Sequence, residues 1–296
     1  METPLFSIFT PTFNRANTIG RTYEHLLTQT LKDFEWIVVD DGSTDRTEEL
    51  VRGWIDEKKI TIVYEKLPNG GKHRAFNKAV KIAKGEIFIC IDSDDYYRED
   101  ALEVIRSYHS KHKDNPRVAG FSCNSLDPQG NLIGTSLPED NLLCSHYDLY
   151  YSLFVRGDKG LIYYTRVLRE FPFPEFENEK FVTEATVLNR ISLHYEVCCI
   201  KQGLEIKEYQ KDGLSSKYRR LCLRNPEGYA LYLNELNYFD MSFFRYVLTA
   251  ARYVKFGLLA RKSPKTIWQE AINRRWTFPG CFVLGWLVFL RDKNKR

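Results

Sequence analysis

No two of the seven cysteines (Cys90, Cys123, Cys144, Cys198, Cys199, Cys222 and Cys281) form a CxxC pair, and no apolar signal segment precedes them. A disulfide framework and a zinc site are therefore not expected, and the thiols read as reduced ones in a cytoplasmic protein. Internal repeats and low-complexity stretches are absent too, so the 296 residues, 43% hydrophobic, are expected to build one large globular domain or two. Also missing is an apolar run long enough to cross a bilayer. The uncharged stretch between Arg275 and Arg291 has 15 residues; as a helix it would span about 22 Å, against a hydrocarbon core of ~30 Å.

Charge of one sign is scarce overall, at a net +4, but it is unevenly placed. From Arg245 to Arg296 there are 12 Lys and Arg against 2 acidic residues, leaving 31 against 37 in the rest. A basic tail thus follows an acidic body. The tail also holds Trp268, Trp276 and Trp286 and the apolar run from Phe282 to Leu290, a mixture suited to an anionic membrane surface. Nucleic acid would answer the charge but not the apolar run, and is not expected as a partner. The expectation is an interfacial or shallow re-entrant anchor, with Arg274, Arg275, Arg291, Lys293, Lys295 and Arg296 meeting headgroups and Pro279-Gly280 interrupting the helix. The alternative is a terminal helix buried against the body or a dimer partner.

The most informative stretch is Ile89-Cys90-Ile91-Asp92-Ser93-Asp94-Asp95, where an apolar strand runs out into three carboxylates. Carboxylates at the carboxyl end of a buried strand emerge together at the sheet edge, where open α/β sheets bind ligands. Such a cluster repels itself unless a cation is present. Mg²⁺ or Mn²⁺ takes oxygen ligands and is commonly shared between carboxylates and a substrate's phosphates, so a metal-bridged phosphate substrate is expected.

Leu5 to Phe9, Trp36 to Val39, Ile60 to Tyr64 and Ile87 to Ile91 are short apolar runs, most of them separated by helical periodicity, the pattern of a mainly parallel sheet. Ile19, Tyr23, Leu26 and Leu27 repeat at helical spacing after an expected Asn17 cap; Phe76, Ala79, Val80 and Ala83 do so before Gly85. Asp45 with Glu48 resembles a capping pair. Each of the first three strands ends in polar residues: Thr10 to Arg15, Asp40 to Asp45, and Asn69 to Arg74. Gly70-Gly71 lets backbone approach a ligand, and Lys72, His73 and Arg74 can offset phosphate charge.

Pro11-Thr12-Phe13-Asn14-Arg15, Val38 to Asp45, Gly71 to Asn77, and Asp92-Ser93-Asp94-Asp95 at a DxD position together resemble the family 2 glycosyltransferases over roughly residues 5 to 215. The resemblance implies an α/β GT-A (Rossmann-like) fold, a mixed, mainly parallel sheet flanked by helices, and inverting transfer from a nucleotide-sugar donor, often UDP-linked. A bacterial surface glycan is the implied product, and a glycan or lipid-linked glycan is the expected acceptor. By the same resemblance Pro11, Thr12, Asn14 and Arg15 line the nucleotide and Asp41 accepts from the base's ring N–H. Lys72, Asn77 and Ser93 lie by the ribose and diphosphate, Asp92 meets the ribose or metal, and Asp94 the metal, Mn²⁺ or Mg²⁺. The division implied is 1–120 for the donor half, 121–220 for the acceptor half and 221–296 for a helical extension.

An inverting transfer needs a positioned carboxylate to take the acceptor hydroxyl's proton. Phe173 to Ala185 resembles the region where the family often carries Glu then Asp, but the second member here is Ala185. Glu184 is taken as the base, with Thr183 as the cap at a helix start; the alternatives are Glu177, Glu179 or another group, or impaired catalysis. Asp212-Gly213 reads as a turn in a segment that either closes inward, with Lys217, Arg219 and Arg220 reaching a diphosphate, or is a solvated loop. His194, Cys198 and Cys199 read as core strand residues. Beyond residue 225, Tyr229, Leu231, Tyr232, Leu236 and Phe239, then Phe243, Phe244, Val247, Leu248 and Ala251, form helical stripes expected in the core. The enzyme is expected at the inner face of the plasma membrane, with its oligomeric state open. A nucleotidyltransferase and a noncatalytic nucleotide-sugar-binding module are the rival readings.

Overall fold

The computed structural model describes residues 3–208, 214–273 and 275–293. The expected turn at Asp212-Gly213, Arg274, Lys295, Arg296 and the side chains of Lys217 and Lys293 lie outside the described residues. The chain forms two compact units, Met1–Pro172 with Val187–Lys211, and Phe173–Thr186 with Asp212–Arg296.

In the first unit the alternating periods become β1 (Phe6–Thr12), α1 (Ile19–Thr28), β2 (Phe34–Asp40), α2 (Thr47–Glu57), β3 (Thr61–Lys66), α3 (Lys72–Ile82) and β4 (Ile87–Cys90). These strands run parallel in the order β3-β2-β1-β4. There follow β5 (Tyr96–Tyr97), α4 (Ala101–His112), β6 (Val118–Leu126), β7 (Leu143–Cys144), α5 (His146–Tyr151), β8 (Lys159–Tyr164), α6 (Thr165–Glu170), α7 (Ala185–Ser192) and β9 (Glu196–Ile206). The sheet continues as β8-β6-β9-β5, with β7 also on β9. Because β8 is antiparallel to both β4 and β6, and β9 is parallel to β6, the carboxyl ends of β1 to β4, β6 and β9 share one edge.

All seven residues of β2 are buried. Trp36 is fully enclosed, donates its indole N–H to Thr10 Oγ1 at 2.9 Å and lies over Tyr23 of α1, which in turn stacks on Trp54 of α2 at 4.4 Å. That aromatic layer holds α1 and α2 on one face of the sheet. Strand β2 begins two residues before its apolar run because Glu35 is buried with its charge satisfied. Its Oε1 accepts from Ser7 Oγ and from the Lys84 N–H, each at 2.7 Å.

Several local expectations are corrected. Thr18, not Asn17, holds the N-cap position of α1, and its side chain makes no capping bond. Asp45 and Glu48 form no reciprocal pair: Asp45 Oδ1 accepts from Thr47 N–H and Oγ1–H, and Glu48 pairs with Arg52 and Lys66. Cys198 and Cys199 are buried on β9, but His194 is exposed in the turn before it, against the Phe171 ring.

The second unit contains α8 (Leu214–Arg224), α9 (Pro226–Glu235), α10 (Phe243–Leu259), α11 (Pro264–Glu270) and α12 (Phe278–Lys293). Arg219 and Arg220 are exposed on α8, a helix rather than a loop. Helix α10 packs on both α9 and α12 and buries Tyr246, Ala250, Tyr253, Val254 and Gly257. Phe243, Phe244 and Leu248, expected in the core, are 56%, 71% and 47% exposed. Pro279-Gly280 does not interrupt α12, because both fall in its first turn, where a missing N–H costs no helical bond. No helix among the described residues is long and apolar enough to cross a membrane.

Candidate functional site

The edge formed by β1, β2, β3, β4 and β9 is built first by backbone. Pro11 and Thr12 close β1 opposite Val39 and Asp40, and the Asp41 N–H donates to the Thr12 carbonyl at 2.8 Å. Asn14 takes a left-handed φ of +53°. That turn sends its N–H to Ser43 Oγ at 2.8 Å, while its Oδ1 accepts the Thr44 N–H at 2.8 Å. Arg15 N–H reaches Thr47 Oγ1 and Ala16 N–H reaches Asp45 Oδ2. The first loop is thus fixed to the second by an asparagine that a non-glycine residue rarely replaces at positive φ. Thr12 Oγ1 is buried with no hydrogen-bond partner among the described residues, the condition of a group awaiting a ligand or water.

Asp41 fixes the third loop. Its carboxylate accepts from Asn69 Nδ2 at 3.0 Å, Gly70 N–H at 2.6 Å and Gly71 N–H at 2.8 Å. Gly42 makes this possible: its φ is +84°, and a Cβ there would stand 2.9 Å from the Asn69 nitrogen. The carboxylate assigned to a base's N–H therefore spends most of its lone pairs on the glycine loop. Asp40, fully buried, accepts from the Ser43 N–H and the Tyr64 hydroxyl. Gly71 leads into α3, with Lys72 first, His73 buried, and Asn77 half-buried one turn on.

Past the end of β4, the Ile91 N–H still bonds to Phe9, and the Asp95 N–H then closes a turn on the Asp92 carbonyl. Ser93 and Asp95 are buried, while Asp92 and Asp94 are part-exposed. Lys72 Nζ sits 2.6 Å from Asp92 Oδ1. Burial opposes ionisation of Asp92, but Lys72, Lys207 and Arg15 outweigh it and hold the carboxyl below its usual range. Burial and the Asp92 charge push Asp94 the other way. One turn thus carries a carboxyl held below its usual range beside one held above it.

A cluster that the residue pattern did not reveal supports this turn from β9. Lys207 Nζ lies 3.0 Å from Asp95 Oδ2 and 3.4 Å from Glu205 Oε1, and Glu205 Oε2 accepts from Ser125 Oγ on β6 at 2.6 Å. The Glu208 N–H donates to Asp95 Oδ1 and its side chain pairs with Arg21 of α1. Lys207 is held protonated well above its usual range: burial opposes this, and Glu205, Asp92 and Asp95 prevail. Asp95 is pushed up to about 7 by burial, with Glu205 and Asp92 adding and Lys207 opposing. The only signal in the sequence was Glu205-Ile206-Lys207, charges alternating with an apolar residue at a strand's end.

Of the expected site residues, the first unit brings together Pro11, Thr12, Asn14, Arg15, Asp41, Lys72, Asn77, Ser93, Asp92 and Asp94 on one sheet edge. Glu184 belongs to the second unit, half-buried in the turn that opens α7, with the Thr186 N–H on the Thr183 carbonyl. Glu179 is committed elsewhere. It is buried and accepts the Glu227 and Gly228 N–H groups at 2.6 and 2.8 Å, capping α9. Burial raises its carboxyl against those two bonds. Glu177 is exposed. No group of three or more His, Cys, Asp or Glu among the described residues converges as a metal site; the Asp92–Asp94 pair offers two.

Residues 7–129 match the family described as Glycosyl transferase family 2. A chondroitin synthase of Pasteurella multocida is 38% identical over 138 residues, 46% of this chain and only 14% of the synthase's length. Among solved structures, Staphylococcus aureus TarS in complex with UDP-GlcNAc superposes with a TM-score of 0.64 at 18% identity, covering 98% of this chain and 91% of that one. A mannosyltransferase from Pyrobaculum calidifontis in complex with GDP-Man and Mn²⁺ gives 0.55 at 18% identity, covering 99% and 88%. The fold is the GT-A arrangement of mixed sheet and flanking helices.

Proposed function

Residues 7–129 belonging to glycosyl transferase family 2, we propose that the chain is a metal-dependent inverting glycosyltransferase. It moves a sugar from a UDP-linked donor to a glycan or lipid-linked glycan in surface polysaccharide synthesis, working at the inner face of the plasma membrane. The observation that carries this is the turn after β4, which sets Asp92 and Asp94 at the sheet edge with Lys72 Nζ 2.6 Å from Asp92 Oδ1. The sugar nucleotides held by two structural neighbours support the donor class.

The donor set fits a hard divalent cation. Asp92 and Asp94 offer carboxylate oxygens, and burial with the Asp92 charge raises the Asp94 carboxyl, a shift that a bound cation would oppose. Bound there, Mn²⁺ or Mg²⁺ would stabilise the negative charge of the departing diphosphate. The protein's own groups do the rest. Lys72 and Arg15 add positive charge to the same edge, Asp41 holds the Gly70-Gly71 backbone ready for close approach, and Thr12 offers an unspent hydroxyl. Glu184 takes the proton of the acceptor hydroxyl as its oxygen bonds the anomeric carbon. The bond to the diphosphate breaks on the opposite side, inverting the centre.

Glu184→Gln tests the base. Donor binding is expected intact, with transfer reduced by ~10²-fold or more. Unchanged transfer removes Glu184 from the mechanism, and donor binding with no turnover in the unaltered protein favours a noncatalytic sugar-nucleotide module.

A further inference from the structure

The second unit carries a helix that is apolar on two sides. Helix α12 turns Phe278, Cys281 and Gly285 inward, all buried. At Gly285 it lies so close to α10 that a Cβ would stand 2.4 Å from the Ala251 carbonyl oxygen and 2.7 Å from Val254 Cβ. Asp292 pairs with Lys255 at the far end. A surface helix with this much inward contact normally shows polar residues outward. Here the outward positions are Val283, Leu284, Trp286, Leu287 and Leu290, between 41% and 56% exposed. Just before the helix, Trp276 is 87% exposed and stacks on the exposed Phe243 at the start of α10, with ring centroids 6.5 Å apart.

Charge decides what this face can meet. The segment 245–296 carries 12 Lys and Arg against 2 acidic residues. Both acids are already neutralised: Glu270 by Lys262 at 2.6 Å, and Asp292 by Lys255. A second copy would carry the same positive excess in this segment, which opposes self-association. An anionic surface is complementary. It must also accept tryptophan and leucine side chains, and a lipid interface does both. At 16 residues α12 spans about 24 Å, short of the ~30 Å core and too short to cross it.

We propose that the outer face of α12, with Trp276 and Phe243 at its start, docks along the surface of an anionic phospholipid bilayer. This deepens the placement at the plasma membrane and does not depend on sugar transfer, since docking needs no donor.

The full chain is sedimented with vesicles of phosphatidylcholine containing phosphatidylglycerol, and with phosphatidylcholine alone. Binding is expected to the anionic vesicles, weaker by about tenfold or more on neutral ones, and weakened by raised salt. Trp286→Ser with Leu287→Ser is expected to lower binding at least about tenfold. Melting should change little, because Trp286 and Leu287 are 50% and 56% exposed. As an independent readout, brominated lipid should quench tryptophan emission in the unaltered protein and markedly less in Trp276→Phe with Trp286→Phe. No binding to anionic vesicles by folded protein overturns the proposal. So does a doubled mass in light scattering that the serine pair abolishes, which would make the face a homodimer interface. Donor-dependent stabilisation measured on the same sample separates these failures from a failure of the glycosyltransferase reading.

Discussion

Replacing Lys207 by methionine tests whether the turn after β4 is held from β9. The ammonium is 14% exposed and faces Asp95 and Glu205, whose side chains are 7% and 3% exposed. Breaking such a buried pair by removing one partner costs about 3–5 kcal/mol, because the remaining charge is stranded. Asp95, at about 7, can take up a proton near neutral pH and so relieve part of that cost, which places Lys207→Met at the lower end, roughly 3 kcal/mol. For a unit of this size that is about 6–12 °C in Tm. Urea denaturation at pH 7.5 reads it directly. Adding Asp95→Asn and Glu205→Gln removes the stranded charges, and the triple variant should recover at least half of the loss. A Lys207→Met protein within 1 kcal/mol of the unaltered one, on the ~3 kcal/mol scale expected, would refute the reasoning.

Two further outcomes follow from the same geometry. Gly42→Ala places a Cβ 2.9 Å from the Asn69 nitrogen at φ +84°; it should destabilise by more than ~1 kcal/mol and weaken donor binding through the Asp41 loop, read by denaturation and donor titration, and a neutral result would contradict the role given to that turn. His109, buried near Tyr164, is held below its usual range by burial, and burial brings His146 down to about 4. The folded state therefore binds fewer protons than the unfolded chain, so stability is full above about pH 6.5 and falls as the pH drops toward 4. Asp95 works in the opposite direction, so the comparison is made with His109→Gln and His146→Gln together, whose denaturation midpoint should fall less between pH 7.5 and 5, each pH being approximate.

The half of the site that was legible lies where short-range pattern and function coincide. The run from Ile87 to Ile91 is buried, so the carboxylates after it mark where the strand ends, and Asp92 and Asp94 announce the edge. What remained hidden depends on contacts distant in sequence. Glu35 reads as polar and therefore outside, yet Ser7 and the Lys84 N–H satisfy it inside β2. Nothing near Lys207 in sequence marks its pairing with Asp95, because the two lie 112 residues apart. Phe243, Phe244 and Leu248 failed as core residues for the opposite reason: helical spacing gives the period of a stripe but not which stripe faces inward, and Tyr246, Ala250 and Tyr253 took that side. Pro279 misled because its effect depends on its place within the turn, which the sequence leaves open by a residue or two.

The central claim, a metal-bridged sugar nucleotide at the turn after β4, is tested most directly by thermal melting with a panel of nucleotide sugars, with and without Mn²⁺, on the unaltered chain and on Asp94→Asn. Stabilisation by one UDP-linked donor that requires Mn²⁺ and disappears in Asp94→Asn is the predicted result. Absence of any metal-dependent donor response, or an equal response in Asp94→Asn, would contradict it.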